Sequence, residues 1–312
     1  MDVHLTAAIA QTIMRRHRPS CVVEALELRH GGNISTVYEI RCAKPDQLVI
    51  LKAYPDAFHW KMEKELYVYR LLGRAAPLPM PSILWSDDSK ELLPQNYVVM
   101  TRLKGQVLSQ VEASLLAREL RDVYFEMGAL LATIHGITLD AFGYITTRIT
   151  ASHPTNDAYM RSQFQKKLVE FDARGGDAVL RRNVEEYVET HSDLLSQAPT
   201  PVLCHDDYHP GNVLVSAEEG KWCVTGIVDV ENAVSADPLL DIAKTDYYAI
   251  KANDAKREGF LAGYGQLPSD WRERVQLYKL YHALELWDWF AAIGNKTVVD
   301  RLTDDIRRFA AT

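Results

Sequence analysis

The stretch His205-Asp206-Asp207-Tyr208-His209-Pro210-Gly211-Asn212 is the most informative part of this sequence. Val202-Leu203-Cys204 precedes it and Val213-Leu214-Val215 follows it, and both runs have the composition of short buried strands. The pattern predicts a polar loop held between two strands. Asp, Asn, Pro and Gly also form ordinary turns, so no single residue indicates more than a turn. The His-x-Asp-x-x-x-x-Asn spacing between strands is much rarer by chance and favours a functional site.

The residue types in this loop suit phosphoryl transfer. That reaction needs an acceptor hydroxyl placed in line and metal ions that neutralise the transferred group. The carboxylate of Asp207 can accept the hydroxyl proton, and the amide oxygen of Asn212 is a hard ligand suited to Mg²⁺. A second motif, Gly226-Ile227-Val228-Asp229-Val230-Glu231, ends another strand-like run in an acid. Such an acid often starts a turn, but beside the first motif Asp229 becomes a strong candidate for the same metal.

These motifs resemble those of the aminoglycoside and choline kinase family of phosphotransferases, distant relatives of protein kinases. In that family the loop reads H-G-D-x-H-x-x-N, the metal motif reads I-D-W/F-E, and G-D-P-x-x-D-L-A follows. The third motif stands here as Ala236-Asp237-Pro238-Leu239-Leu240-Asp241-Ile242-Ala243. The resemblance covers most of the chain. It implies a bilobal, protein-kinase-like α+β fold, with a small β-rich N-terminal lobe at 1–103 and a larger, mostly helical C-terminal lobe at 104–312.

The resemblance also implies roles for individual residues. Asp207 would be the catalytic base, and Asn212 and Asp229 would be metal ligands. His205 would brace the loop, and Asp241 would be a buried acceptor that supports it.

Three positions depart from the family pattern. Asp206 and Ala236 replace glycines, and Val230 replaces an aromatic residue. Asp206 places two carboxylates side by side, so that either could be taken for the base. The spacing to Asn212 favours Asp207.

The N-terminal half supplies candidates for nucleotide binding. The turn from His30 to Tyr38 joins two predicted strands, and its glycines let the backbone approach phosphates, while Ser35 can donate a hydrogen bond to them. A plain hairpin turn is the alternative. The resemblance, in which a similar turn covers ATP, favours phosphate binding.

Lys52 lies inside the apolar run from Leu48 to Tyr54. A lysine in a strand is usually an edge or surface residue. If it points inward, it needs a partner, because an unpaired buried ammonium is strongly disfavoured. Glu65 lies on the apolar face of the following helix, whereas Glu63 has the wrong phase. We therefore predict a Lys52–Glu65 pair that presents the ammonium to the α- and β-phosphates, as the kinase template requires.

The segment from Tyr97 to Gly105 resembles the inter-lobe hinge of the family. The resemblance implies that the backbones of Thr101 and Leu103 hold the adenine edge and that Met100 lines the pocket. An ordinary strand that runs out into a loop is compatible with the same residues.

Periodicity and turn residues predict the remaining elements. A capping box at Ser109–Glu112 is expected to begin a long helix that ends at His135-Gly136, and Asp237-Pro238 to begin another. After the N-terminal strands, β-structure is expected to return only at about 202–229. The other predicted helices are Thr6–His17, His59–Gly73, 157–171 and 177–196, and the N-terminal strands are Cys21–Leu28, Thr36–Arg41, Gln47–Tyr54, Ser82–Ser86 and Asn96–Leu103.

The composition is that of an ordinary globular protein, with 47% hydrophobic and 25% charged residues among 312. A formal net charge of -7 gives no general attraction to nucleic acid or to an anionic membrane. The four cysteines have no metal-ligand spacing, and neither a signal-peptide pattern nor a bilayer-spanning apolar run is evident. We expect a soluble cytoplasmic protein with reduced cysteines; the pattern leaves its oligomeric state open.

Together these features predict an ATP- and Mg²⁺-dependent phosphotransferase, with GTP as an alternative nucleotide, that phosphorylates a hydroxyl of a small-molecule acceptor. The resemblance and the mild acidity favour an aminoglycoside or aminocyclitol antibiotic, and hence antibiotic resistance; residues 67–81 also look somewhat like hygromycin phosphotransferases. A metabolic kinase for choline, a sugar or an amino alcohol is the close alternative. A catalytically silent nucleotide-binding module is a further one. A protein kinase is disfavoured because D-F-G and A-P-E motifs are absent.

The acceptor site has one candidate in the sequence. The stretch from Glu285 to Phe290 is acidic and aromatic and could meet a cationic acceptor. A half-buried helix with aromatic core contacts is the more common meaning of such a stripe.

Overall fold

A computed structural model describes residues 5–29, 35–74 and 77–311. It comprises two compact units: Met1–Val111 with Gly211–Glu231, and Glu112–Pro210 with Asn232–Thr312. The chain therefore changes unit three times, whereas the division expected after residue 103 has a single change. The second change falls between Pro210 and Gly211, inside the polar loop. Asn212 and Asp229 consequently belong to the unit that holds the N-terminal strands.

The first unit is built on a five-stranded antiparallel sheet of order β1-β2-β3-β5-β4. Its central strand β3 is a nearly continuous apolar run, and Val49 and Leu51 are buried in the core of the unit. Such a run of branched apolar residues is typical of a strand that packs on both faces. The strands are β1 Val23–Arg29, β2 Thr36–Ala43, β3 Asp46–Tyr54, β4 Ile83–Asp87 and β5 Asn96–Thr101.

Two helices complete this part of the unit. Helix α1, Ala7–His17, begins after Thr6, whose hydroxyl accepts a hydrogen bond from the Ile9 N–H at 3.3 Å. Helix α2, His59–Leu72, buries Met62, Glu65 and Tyr69 on one face. Because these residues are three and four apart, the face that packs inward also carries Glu65.

A second sheet in the first unit has the order β11-β10-β6. Strand β6, Gln106–Val107, pairs with β10, Val213–Glu218, which forms a hairpin with β11, Lys221–Ile227. Gly105 precedes β6 with a φ of 103°. A Cβ at that position would lie 2.5 Å from a backbone oxygen of β10, so only glycine allows the approach. Helix α3, Leu108–Val111, ends the segment.

The second unit is mostly helical and contains a four-stranded sheet of order β8-β7-β12-β9. Helix α8 begins as predicted, because the Asp237 carboxylate accepts from the Leu239 N–H at 3.0 Å and a proline follows. The strands are β7 Phe142–Ile145, β8 Ile149–His153, β9 Val202–Cys204 and β12 Val234–Ala236. The helices are α4 Ala117–His135, α5 Asn156–Ala173, α6 Ala178–Thr190, α7 Ser192–Leu195, α8 Pro238–Thr245, α9 Asp254–Tyr264, α10 Trp271–Ala292 and α11 Lys296–Phe309.

Three expectations about these elements are wrong. The long helix begins at Ala117 rather than after Ser109–Glu112, because Glu119 accepts from the Leu116 N–H at 2.8 Å and caps the helix there. The helix expected over 177–196 breaks at His191 into α6 and α7. Strands return earlier than expected, since β6, β7 and β8 all precede residue 202. With two to five residues each, they are too short to show a period of two. Within the described residues, no helix is long and apolar enough to cross a membrane.

Candidate active site

Lys52 lies in the middle of β3, with Val37 and Val98 as its neighbours on the flanking strands. Its ammonium Nζ is 2.9 Å from Oε2 of Glu65 on α2. It is also 2.9 Å from Oδ1 of Asp229. The lysine therefore points inward, and it meets the partner that the helix phase predicts.

Electrostatics keep this lysine charged. Burial alone would lower the pKa of Lys52, but the carboxylates of Glu65 and Asp229 outweigh that effect and hold its pKa well above the ordinary value. Burial raises the pKa of Glu65, while the Lys52 ammonium opposes that rise. The Tyr54 hydroxyl donates a hydrogen bond to Glu65 Oε2 and fixes the carboxylate from another side.

The two proposed metal ligands lie at adjacent strand ends. Asn212 directly precedes β10, and its carbonyl accepts from the Val228 N–H at 3.0 Å. Asp229 follows, in a left-handed conformation with φ 65°. This conformation costs a non-glycine residue free energy and is typical of functional sites. The side chain of Asp229 is 38% exposed.

The neighbourhood of Asp229 suits a divalent cation. Three carboxylates, Glu65, Asp229 and Glu231, surround the ammonium groups of Lys52 and Lys61. The surplus of negative charge, together with hard oxygen donors, matches the chemistry of Mg²⁺. The residues present therefore fit the metal that the resemblance implies.

Lys61 and Glu231 were not predicted as site residues. Glu231 Oε1 is 2.9 Å from Lys61 Nζ, and its Oε2 is 3.3 Å from Lys52 Nζ. Both residues carried a usable signal. Glu231 ends the Val-Asp-Val-Glu motif, and Lys61 lies four residues before Glu65, on the same face of α2.

The remaining nucleotide candidates lie in or beside the large sheet. Ser35 is buried directly before β2, and residues 30–34 of its turn lie outside the described residues. Met100, in β5, packs with Tyr54 and Val98. It is therefore part of a buried apolar cluster.

The hinge candidates are already engaged in packing and pairing. The Thr101 N–H donates to the Ser82 carbonyl at 3.0 Å, and Thr101 Oγ1 accepts from the Ser82 N–H at 2.9 Å. Leu103 packs on Gly226 of β11, where an added Cβ would lie 2.7 Å from Leu103 Cδ1. The Thr101 N–H is thus used within the sheet rather than offered to a ligand.

In the second unit, the polar loop is anchored on α8 through its backbone. The N–H groups of His205 and Asp206 donate to the two oxygens of Asp241 at 2.6 and 2.8 Å. His135 Nε2 lies 3.1 Å from Asp241 Oδ2. Burial would raise the pKa of Asp241, but the His135 hydrogen bond and the His205 N–H lower it below the ordinary value. The structure thus gives Asp241 the supporting position that the resemblance implies.

Asp207 is partly exposed and has two side-chain neighbours that were not predicted. The amide Nδ2 of Asn232 donates to Asp207 Oδ2 at 3.3 Å. His209 Nε2 lies 3.5 Å from Asp207 Oδ1. Asn232 directly follows the Val-Asp-Val-Glu motif, and His209 is within the loop, so both were visible as polar residues of the motifs. These contacts orient the carboxylate of the proposed base.

Asp206 has different partners from its neighbour Asp207. Its φ of 53° is left-handed, a conformation that glycine, the residue of the family pattern, adopts without steric cost. Its buried carboxylate lies 3.3 Å from Lys244 Nζ, and Lys244 is also 3.1 Å from Glu285. Burial raises the pKa of Asp206 to about 7, with Lys244 opposing and Glu285 adding to the rise.

The acidic-aromatic stretch Glu285–Phe290 forms part of α10. Trp287 is buried and donates to Thr303 Oγ1 at 2.9 Å. Asp288 forms ion pairs with Lys167 and Arg174. Since Glu285 is also paired, both acids of the stretch are neutralised within the unit, as in a structural helix.

Comparison with known proteins decides the family. The sequence pattern described as the phosphotransferase enzyme family matches residues 25–277. The chain belongs to this family. The predicted family is therefore confirmed, and so is the predicted class of enzyme, a phosphotransferase.

Two curated relatives show how far sequence similarity extends. The phosphotransferase is 24% identical over 278 residues to a probable ketoamine kinase of Vibrio vulnificus (strain CMCP6), which covers 84% of this chain and 85% of that protein. It is also 24% identical over 251 residues to the clavilactone A biosynthesis cluster protein Y of Ampulloclitocybe clavipes. That match covers 68% of this chain and spans only 61% of the relative's length.

Solved structures establish the fold. The crystal structure of aminoglycoside phosphotransferase APH(4)-Ia has a TM-score of 0.73 at 17% identity, covering 98% of this chain and 99% of that one. A thermostable mutant of it, in a ternary complex with ADP and hygromycin B, gives 0.70 at 18% identity and covers 96% and 97%. A GDP and kanamycin complex of APH(2")-IIia gives 0.70 at 13% identity and covers 97% and 98%. The predicted kinase-like α+β fold is confirmed.

Proposed function

We propose that this phosphotransferase is an ATP- and Mg²⁺-dependent kinase that transfers the γ-phosphoryl group to a hydroxyl of a small molecule. The observation that carries the proposal is the buried ammonium of Lys52, held by Glu65 and Asp229 at 2.9 Å each. A buried, charged lysine beside a surplus of carboxylates suits a polyphosphate that binds with a divalent cation. The ADP and GDP complexes of structural relatives support a nucleotide substrate.

Each unit contributes its own part of the proposed reaction. In the first unit, Lys52 binds nucleotide phosphates, and Asn212 and Asp229 would hold Mg²⁺, which supplies charge neutralisation for the phosphates. Ser35 and Met100 border the nucleotide. The adenine edge is held by the backbone of Leu103 and by the carbonyl of Thr101, since the Thr101 N–H is used within the sheet. In the second unit, Asp207 orients the acceptor hydroxyl and accepts its proton. We place the reaction in the cytoplasm, where ATP is available.

An aminoglycoside or aminocyclitol antibiotic is the proposed acceptor, with antibiotic resistance as its consequence. Hygromycin B and kanamycin are bound by the structural relatives, which supports this class. One observation favours a less cationic metabolite as a second candidate. Glu285 and Asp288 are both ion-paired within the chain, so this stretch offers less negative charge to a polycation than its sequence suggests. A ketoamine is such a less cationic metabolite, and the relative named a probable ketoamine kinase supports it as the second candidate acceptor.

One assay separates these candidates. ADP release is measured with Mg²⁺ and ATP across a panel of aminoglycosides, ketoamines, choline, sugars and amino alcohols, with Asp207→Ala as the control enzyme. Turnover on one class identifies the acceptor. If ATP binds tightly but no acceptor is turned over, the protein is a silent nucleotide-binding module and the proposal is wrong.

A further inference from the structure

One carboxylate of the first unit bridges two lysines. Oε1 of Glu231 is 2.9 Å from Lys61 Nζ, and Oε2 of the same carboxylate is 3.3 Å from Lys52 Nζ. Two oxygens of one planar group therefore hold two ammonium groups side by side. Lysine binds phosphate as a point charge through charge-assisted hydrogen bonds, and two adjacent ammonium groups supply two such charges.

The position of Lys61 is unusual for a lysine. Its side chain is 10% exposed, and that of Glu231 is 7% exposed. Lysine normally keeps its ammonium in water, and burying a charged pair costs free energy that the pair alone often does not repay. A charge that binds a ligand gives this buried pair a function other than stability.

Helix α2 brings this lysine to the site by its phase. Lys61 lies one turn before Glu65, so both side chains are on the buried face of the helix. Glu65 orients Lys52, and Lys61 adds a second ammonium to the same cluster. A single helix thus supplies both the group that positions the first cation and a cation of its own.

We propose that Lys61 is a second phosphate-binding lysine, which acts with Lys52 on the terminal phosphates of the nucleotide, and that Glu231 holds the two ammonium groups in place. This inference rests on the proposed nucleotide-binding function. The charges support it, since Asp229 would turn to a bound Mg²⁺, while Glu65 and Glu231 keep Lys52 and Lys61 in place for the phosphate oxygens. A nucleoside without phosphates gains nothing from either lysine.

A purely structural role for Lys61 makes a different prediction. If the Lys61–Glu231 pair only joins α2 to the turn at 230–232, its loss should lower stability and weaken every nucleotide and nucleoside alike. If Lys61 binds phosphate, the loss of affinity should grow with the number of phosphates. Comparison of ligands that differ only in phosphate number therefore separates the two roles.

Calorimetric titration of the full-length protein with adenosine, ADP and ATP in the presence of Mg²⁺ tests the proposal. Lys61→Met is expected to weaken ATP binding about tenfold, the effect of losing one charge-assisted contact, and to leave adenosine affinity unchanged. Lys61→Arg should keep most of the ATP affinity. Lys90→Met is the matched control, since Lys90 is an exposed lysine of the same unit that pairs with Asp56. Equal weakening for adenosine and ATP, or no weakening at all, overturns the proposal.

Two further variants keep the outcome interpretable. Lys52→Met in the same titration reports on the proposed function. If the wild-type protein does not bind ATP, the proposed function is wrong. If Lys52→Met weakens ATP binding and Lys61→Met does not, only the role of Lys61 is wrong. If Lys61→Met does not fold, Lys61→Met/Glu231→Gln removes the unpaired buried carboxylate and is compared with Glu231→Gln. A selective loss of ATP affinity in the double variant supports the proposal, and identical affinities contradict it.

Discussion

The Lys244 ammonium lies 3.3 Å from the Asp206 carboxylate, and this contact accounts for a second acid beside the proposed base. Asp206 has a left-handed backbone that favours glycine, and its carboxylate is buried. The carboxylates of Asp206 and Glu285 hold the pKa of Lys244 well above its ordinary value, against the effect of burial. The charge of Asp206 is therefore paired with Lys244 of the same unit, and Asp207 remains the candidate base.

Replacement of Lys244 alone should strongly lower the stability of the protein. At a pH above the pKa of about 7 that Asp206 has in the folded protein, Lys244→Met leaves its carboxylate buried without a counter-ion, and breaking a buried pair in this way costs about 3–5 kcal/mol of unfolding free energy. The double variant Asp206→Gly/Lys244→Met should recover part of that loss, because it removes the stranded charge of Asp206 and restores glycine at a left-handed position, while Glu285 still lacks its Lys244 partner. Urea unfolding of the two single variants and the double variant measures the coupling. Additive effects would show that the two side chains do not interact.

The stability of the protein should fall as pH rises from about 4 to 7 through the titration of Asp206. Its pKa is about 7 in the folded protein, against an ordinary value of 3.8, mainly because of burial. Between these values the folded state binds more protons than the unfolded state, so a rise in pH favours unfolding. Unfolding free energies from pH 4 to 8 should show this fall in wild-type protein, and a smaller one in Asp206→Gly. Identical profiles would assign the pH dependence to other groups.

Asp207→Ala should abolish phosphoryl transfer, with kcat falling by about 10²–10⁴ as for loss of a general base. ATP affinity should change little, because Asp207 belongs to the unit that does not contain Lys52. Asp206→Gly is the matched control and should remain active, since it restores the residue of the family pattern. Steady-state kinetics combined with ATP titration tests both variants. Substantial turnover by Asp207→Ala would remove Asp207 from the role of base.

Asp241→Asn should disturb the loop through its backbone. An amide in place of the carboxylate turns one acceptor into a donor that faces the N–H of His205 or Asp206. We expect a loss of about 1–3 kcal/mol of stability, the cost of an unsatisfied buried donor, and a lower kcat. Thermal unfolding and kinetics measure the two effects. Thr101→Val is a useful contrast, because its hydroxyl accepts from the Ser82 N–H, which is exposed and can bond to water instead, so the variant should behave nearly as wild type.

Much of this arrangement could be predicted from sequence. The phase of α2 identifies Glu65, rather than Glu63, as the partner of Lys52, because helix periodicity is regular over a long element. Asp237-Pro238 marks the start of α8 for a similarly local reason. The capping box predicted at Ser109–Glu112 is wrong, because the helix begins later, where Glu119 accepts from the Leu116 N–H although leucine has no acceptor of its own.

Contacts between distant parts of the chain were the hardest to foresee. Strand β6 has two residues and exists because β10, more than 100 positions away, pairs with it. Lys61 and Glu231 meet across 170 positions, so neither motif reveals the other. The Glu285–Phe290 stretch suggested a cationic acceptor because sequence does not show which of its acids are paired.

The three changes of unit along the chain have a consequence for gene exchange. A fragment that stops at Val111 encodes β6 without β10 and lacks both Asn212 and Asp229. Recombination at a single point near the middle of the gene would therefore separate strands that fold together. A chimera with a foreign second unit needs three junctions, one of them inside the polar loop. Evolution of a new acceptor preference is then easier by point substitution within the second unit than by exchange of a contiguous block.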